Sequence, residues 1–341
     1  MDNFFYLFRK NMRRNTLSVR FFPAIIVSIA LFLGLAACTG DANSQEANAE
    51  SQQTEEEMTS SAPLFFQLSL AQWSLHKMLE AEKLAPLDFP AYAKKEFGIQ
   101  AVEYVSRFYE DRIGEEGFLE TWKKAVEEAG VRSLLIMVDG EGNLGDTDEA
   151  ARKQAVENHR KWLEAAQYLG CHSIRVNAAG EGSREEVAAA AAKGLAALGE
   201  MAAEMNLNVL VENHGGYSSD GEWLAGVIKE AGRENVGTLP DFGNFCITKD
   251  DQGNCQEEYD RYKGMKELMP FAKAVSAKSY AFDAQGEETT IDYTRMLKIV
   301  AAEDYKGYIG IEYEGSELSE VEGVKATKKL LEAAGQSLQQ K

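Results

Sequence analysis

Residues 65 to 334 read as one closed α/β barrel, a (β/α)8 TIM barrel, on three features of the chain. An apolar run followed by an amphipathic stretch recurs eight times, which calls for parallel strands joined by right-handed helical crossovers. The apolar runs end in polar or ionisable residues, and in a parallel barrel all strand C-termini open on one face, where chemistry collects. The repeats also occupy a span close to the ~250 residues of such a barrel. Neither G-x-G-x-x-G after the first strand nor G-x-x-x-x-G-K-[ST] occurs, so an open nucleotide-binding sheet has no support.

The chain has 341 residues, 27% charged and 45% hydrophobic, with a formal net charge of −19. Excess acid argues against a nucleic-acid partner, which needs a basic face. Residues 1–37 read as a secretory signal. Arg9, Lys10, Arg13, Arg14 and Arg20 precede an apolar run from Phe21 to Ala37, too short for the ~20 residues of a membrane span. Leu35-Ala36-Ala37-Cys38 resembles a bacterial lipobox, which implies cleavage before Cys38 and its lipidation. Residues 38–62, nearly free of large apolar side chains, read as a disordered linker, and 63–341 as the barrel. The expected location is the cell envelope, exported, with the membrane touched only through the lipid. Cys246 and Cys255 share a loop and are placed to pair; Cys171 opens an apolar run and reads as a buried thiol.

In chain order, the strands are Phe65–Trp73, Ile99–Val105, Val131–Val138, His172–Asn177, Leu207–Val211, a short run ending at Asp241, Ala274–Tyr280 and Tyr308–Tyr313. Between them lie helices over Phe89–Phe97 and Leu119–Ala129, with Gly130 as a stop, and one long helix from about Asp148 to Leu169, stopped by Gly170. Further helices run from about Arg184 to Met205, between Gly216 and Gly232, and over Tyr259–Met269, Asp292–Glu303 and Val321–Ala334. A polar loop follows Asp241.

The strand ends supply, in order, Gln72 and Trp73 with His76 just beyond, Glu103, Asp139, Arg175 and Asn177, Glu212 and His214, Asp241, Ser276 and Lys278, then Glu312 and Glu314. We read them as the lining of one pocket at the barrel mouth. Asp139 precedes Gly140 and reads equally well as a turn residue, and Glu103 as a plain ion-pair partner. His159, mid-helix, and His172, at the opposite end of a strand, read as packing. Carboxylates converging from three strand ends, Glu212, Asp241 and Glu312, demand a cation or a shared proton. Strand alternation places His214 on the face of Glu212.

The segments ENHGG, PDFGN, SAKS and IEYEG, in this order and spacing, resemble the xylose isomerase-like TIM-barrel superfamily, which takes in sugar isomerases and epimerases, inosose dehydratases and endonuclease IV. In the epimerases of that group a divalent metal is held by Glu, Asp, His and Glu after strands five to eight. The resemblance carries these roles to Glu212, Asp241, Ser276 and Glu312. Ser276 stands where a His is implied and Asn244 where several relatives have another, while Lys278 is kept. His214 is therefore the expected nitrogen ligand beside Glu212, Asp241 and Glu312, or else Lys278 replaces part of the metal's charge. Mn²⁺, Mg²⁺ and Zn²⁺ all suit such a set.

The resemblance implies a carbohydrate isomerase or epimerase working by proton abstraction next to a carbonyl. Glu212 and Glu312 are the expected proton-transfer pair and Lys278 or the metal the stabiliser of the substrate oxygen. Trp73, His76, Glu103, Arg175, Asn177 and His214 are expected to bind the sugar, with Phe108 stacking beside Trp73. Two alternatives are a lyase that eliminates the C1 group of a 3-keto-glycoside, and a sugar-binding lipoprotein without activity.

Overall fold

The computed structural model describes residues 63–339; the expected signal peptide, Cys38 and the linker lie outside the described residues. Eight parallel strands form the barrel: β1 (Gln67–Ala71), β2 (Ala101–Val105), β3 (Arg132–Met137), β4 (Ser173–Val176), β5 (Asn208–Glu212), β6 (Val236–Leu239), β9 (Val275–Ser279) and β10 (Tyr308–Tyr313). A separate antiparallel pair, β7 (Cys246–Lys249) and β8 (Cys255–Glu258), stands after β6. Neighbours run β6-β5-β4-β3-β2-β1-β10-β9, each pair parallel. The ring closes between β6 and β9 through single bridges, Thr238 to Ala272 and Asp241 to Ser276. At that seam Phe242 N donates to Ser276 O at 3.1 Å and Ser276 N to Pro240 O at 2.9 Å. The seam thus holds Asp241 and Ser276 side by side.

Helices α1 (His76–Glu80), α2 (Phe89–Phe97), α3 (Phe118–Ala129), α4 (Glu149–Asn158), α5 (Arg160–Leu169), α6 (Arg184–Ala203), α7 (Gly221–Ala231), α8 (Arg261–Leu268), α9 (Tyr293–Ala302) and α10 (Glu320–Gln339) complete the described elements with short 3₁₀ turns. Their starts are capped by side-chain oxygens, as at Asp148, Ser183, Asp220, Asp260 and Asp292, which satisfy amides that have no helical partner. Gly130 (φ 59°) and Gly170 (φ 76°) end α3 and α5 in the left-handed region, where a side chain would be strained.

Two sequence expectations change. The long helix over Asp148–Leu169 is two helices that break at His159. The imidazole Nδ1 sits 2.7 Å from the Ala155 carbonyl, and the His159 amide reaches the same oxygen at 3.4 Å. A side chain competing for the i−4 carbonyl is a known cause of a helix break. The polar loop after Asp241 contains the β7–β8 hairpin, closed by a Cys246–Cys255 disulfide. Its β8 residues are all exposed, so no apolar alternation marked it in the sequence. Cys171 is a buried free thiol, as expected.

The apolar interior has two parts. A large cluster fills the space between strands and helices, and a small one of Ala71, Val105, Leu135, Met137, Leu210, Leu239 and Ala274 packs together with Trp73 and Phe108. The second gathers inward-facing strand positions, so the lumen is only partly apolar. The rest of it is polar, and the site is built there.

Candidate functional site

Inward-facing positions of β4, β5, β9 and β10 bring Arg175, Glu212, Ser276, Lys278 and Glu312 into one cluster, all buried. Asp241, two residues past β6, joins them across the seam. Glu212, Asp241 and Glu312 each offer a carboxylate oxygen, and the three oxygens lie within 4.8 Å of one another. Ser276 Oγ is 2.6 Å from Asp241 Oδ2 and 3.0 Å from Glu312 Oε2. A hydroxyl has one proton to give, so it cannot satisfy two carboxylates at once. Asn244 Nδ2 donates to Glu212 Oε1 at 2.9 Å, and the amides of Gly243 and Asn244 hold Asp241 Oδ1 at 2.8 Å each.

Two cations offset part of the acids' charge. Lys278 Nζ lies 2.9 Å from Glu312 Oε1 and 3.1 Å from Glu314 Oε2. Arg175 Nε lies 2.7 Å from Glu212 Oε2, while its Nη1 donates to Asp139 Oδ1 at 2.9 Å. The Nε–H is not aimed at Glu212 Oε2, so that buried oxygen has charge compensation but no hydrogen bond. Burial raises the pKa of Glu212 and of Asp241 to about 7, with partial relief from Arg175 and Lys278 respectively. For Glu312 burial pulls the same way, but Lys278 and Arg175 outweigh it and hold the carboxyl below its ordinary value. Environment thus separates carboxyls that composition makes alike.

Above this layer opens a pit of about 420 Å³, lined by Trp73, Arg107, Glu110, Asp139, Arg175, His214, Glu312 and Glu314 among others. Trp73 Nε1 donates to Glu314, and Arg107 lies 5.4 Å over the Trp73 ring, so one wall is an oriented indole. Asn177 Nδ2 donates to Asp139 Oδ1 at 2.7 Å, and Arg175 holds Asp139 below the usual carboxylate range. Phe108 stands behind Trp73, with ring centroids 6.3 Å apart.

Several expected residues land elsewhere. His214 is not part of the acid cluster. Its side chain is exposed at the pit wall, where the surrounding protein and the Arg175 charge hold its pKa below the ordinary value. The alternation argument fails because β5 ends at Glu212, and the Asn213 side chain, tied to the Asp241 carbonyl at 3.0 Å, turns the chain outward. His76 does not line the pit. Its ring stacks on Trp73 at 4.5 Å, with Nδ1 2.7 Å from the Trp73 carbonyl, so it steadies that wall from behind. Glu103 is 1% exposed, below the pit, and accepts from Ser69 Oγ at 2.6 Å. Lys278, expected at the mouth, is 1% exposed.

A family profile described as "Xylose isomerase-like TIM barrel" matches residues 91–334. The chain belongs to the xylose isomerase-like TIM barrel family. Similar folds include an L-ribulose 3-epimerase (15% identity, TM-score 0.61, 81% of this chain and 97% of that one). A zinc-bound IOLI protein is similar at 13% identity and TM-score 0.62, over 80% of this chain and 99% of that one. The 3-keto-D-glucoside 4-epimerase of E. coli follows at 16% identity and TM-score 0.56, over 80% of this chain and 100% of that one. Among curated proteins none matches.

In this family barrel the three carboxylates fit a divalent cation. Glu212 Oε2 is a buried oxygen without a hydrogen bond, and Ser276 leaves one of its two neighbouring carboxylates short of a proton. With Ser276 in place of an imidazole, and His214 apart from the cluster, the donor atoms gathered here are oxygens, which suits hard cations such as Mg²⁺ or Mn²⁺.

Asp139, read from the sequence as pocket lining or a turn residue, lines the pit and anchors both Arg175 and Asn177. Two further contributors were less legible. Asn244 looked only like a departure from a family His, yet it steadies Glu212. Gly310 had a signal, an isolated glycine inside the β10 run, which marks a close approach. A Cβ there would sit 2.6 Å from Glu103 Oε1, so only glycine admits that acid.

Glu103 supplies a stability prediction. Burial pushes its carboxyl from 4.5 to about 7. The folded state therefore holds the proton more tightly than the unfolded chain. This stabilisation is full below about 4.5 and is lost as pH rises through about 7. The shift corresponds to ~3 kcal/mol at most. In chelator-treated protein, Glu103→Gln should therefore gain stability over wild type at pH 8 but not at pH 4.5, measured by thermal unfolding. Equal differences at both values contradict the assignment.

Proposed function

We propose that this barrel isomerises or epimerises a neutral carbohydrate by moving a proton next to a carbonyl. The observation that carries this reading is the pair Glu312 and Glu212, the first held ionised in the lining of a pit with an indole wall, the second buried behind it and raised to about 7. Two carboxyls whose environments push their proton affinities apart are an acid and a base. Glu312, which lines the pit, accepts the proton. Glu212, compensated by Arg175, keeps one to return. Lys278 holds Glu312 ionised and adds positive charge beside the carbon that loses its proton. Trp73 packs on the sugar face, and Asp139, Asn177 and His214 take hydroxyls. A divalent cation held by Glu212, Asp241 and Glu312 would supply Lewis-acid polarisation of the carbonyl. The sugar epimerases among the similar folds support the reaction class.

The substrate is read as unphosphorylated. Of the pit's cations, Arg175 is committed to Asp139 and Glu212, and Arg107 lies 3.4 Å from Glu80. A second reading, elimination of the C1 group from a 3-keto-glycoside, begins with the same proton transfer to Glu312. It is favoured by a second chamber beside the pit, whose lining carries no lysine or arginine. Incubating the protein with ketoses and 3-keto-glycosides, with and without chelator, separates the readings. Epimers indicate the first, a released aglycone the second, and no turnover of either contradicts both and leaves a sugar-binding lipoprotein.

The N-terminus is read as a lipid anchor that places the barrel in the cell envelope. Cys38→Ser should leave the precursor uncleaved or release the protein from the membrane fraction; unchanged processing and fractionation contradict it. Among the described residues no helix is long and apolar enough to cross a membrane.

A further inference from the structure

Beside the pit lies a larger chamber of about 720 Å³, walled by the glycine-rich loops after β4 and β5 and by the β7–β8 hairpin. His214 lines both spaces. Asn177, which reaches Asp139 in the pit wall, is followed directly by Ala178 of the chamber. The two spaces therefore share a partition and open on the same mouth.

We propose that this chamber is a second binding subsite, for a neutral ring joined by a glycosidic bond to the sugar in the pit. The proposal rests on the carbohydrate reading above and narrows it from free sugars to glycosides. The lining carries no lysine or arginine, and its single carboxylate is Glu181, so an anionic group finds no counter-charge there. What it offers is the Tyr217 ring, the apolar Val187 and Ile247, and the backbone of Gly180, Gly182, Gly215 and Gly216. An aromatic face with backbone donors and acceptors suits a ring that is apolar on its faces and hydroxylated at its rim.

The chamber is also preorganised. Tyr217 OH donates to Gly182 O at 3.2 Å, bracing one loop against the other. Ser218 Oγ donates to Gly215 O at 2.9 Å, and Gly215 N donates to Ser219 Oγ at 2.9 Å, which fixes the glycine turn. The Cys246–Cys255 bond clamps the hairpin that presents Ile247 and Thr248. Walls set before binding spare the ligand the cost of ordering them.

The test is calorimetric titration of the intact protein, with maltose, cellobiose and sophorose against methyl glucoside. Binding needs no turnover, so the result is independent of whether proton abstraction is the right chemistry. At least one disaccharide should bind about tenfold more tightly than methyl glucoside, which is ~1.4 kcal/mol. Thr248→Trp fills the chamber from its exposed edge and Glu181→Trp from the facing loop; each should erase most of that preference. Cys246→Ser with Cys255→Ser, by freeing the hairpin, should reduce it. Equal affinity for all four sugars overturns the proposal. So does a loss in both tryptophan variants that is the same for disaccharide and methyl glucoside.

Discussion

Replacing Glu312 by Gln is expected to lower turnover by ~10²–10⁴, the usual cost of losing a general base. Among the three clustered carboxylates Glu312 is the one that lines the pit. Its two oxygens are already engaged, Oε1 with Lys278 at 2.9 Å and Oε2 with Ser276 at 3.0 Å. These contacts aim the carboxylate and keep it ionised. Gln keeps the shape but has no charge and cannot take a proton at neutral pH. The cost should fall on kcat rather than KM, because the interaction forms in the transition state. Some stability should be lost as well, because Lys278 and Arg175 favour the ionised Glu312 and the buried ammonium loses a partner, so turnover is compared on variant protein confirmed to be folded. A variant within tenfold of wild type would place the base elsewhere.

Lys278→Met should be harmful in two ways. The ammonium is 1% exposed and faces Glu312 and Glu314, so its loss strands buried carboxylates. Breaking a buried pair from one side typically costs 3–5 kcal/mol. Turnover should fall ~10²–10³, because Glu312 is no longer held ionised and the positive charge beside the reacting carbon is gone. The stability loss should shrink as pH is lowered, because protons then replace the missing charge. Added Mg²⁺ or Mn²⁺ should restore it as well, through preferential binding to the folded state. A variant as stable as wild type at pH 8 without divalent cations would contradict the charge accounting of the lumen.

The barrel was largely legible because its signal is repetitive. Eight apolar runs with helical spacers leave little choice, and β10 and α2 fall on the residues read from the pattern. The acid cluster was legible for the same reason, since Glu212 is the last and Glu312 the last but one residue of its strand, both in the inward register. His214 was misplaced because alternation holds only within a strand, and β5 stops two residues earlier. Glu103 and His76 were placed at the right strand ends but at the wrong depth. Depth depends on what crosses the lumen, here Gly310 beside Glu103 and the stacked Trp73 over His76. The hairpin escaped because β8 is polar and exposed and β7 is only four residues long, so neither shows a period-2 apolar pattern.

The central claim is that Glu312 removes a proton next to a carbonyl, and isotope exchange tests it most directly. With substrate turning over in D2O, wild type should incorporate solvent deuterium at the carbon beside the carbonyl. Glu312→Gln should incorporate almost none over the same time, although the carboxylates beneath it remain. Turnover by wild type with no deuterium uptake and no isotope effect on that proton would contradict the account.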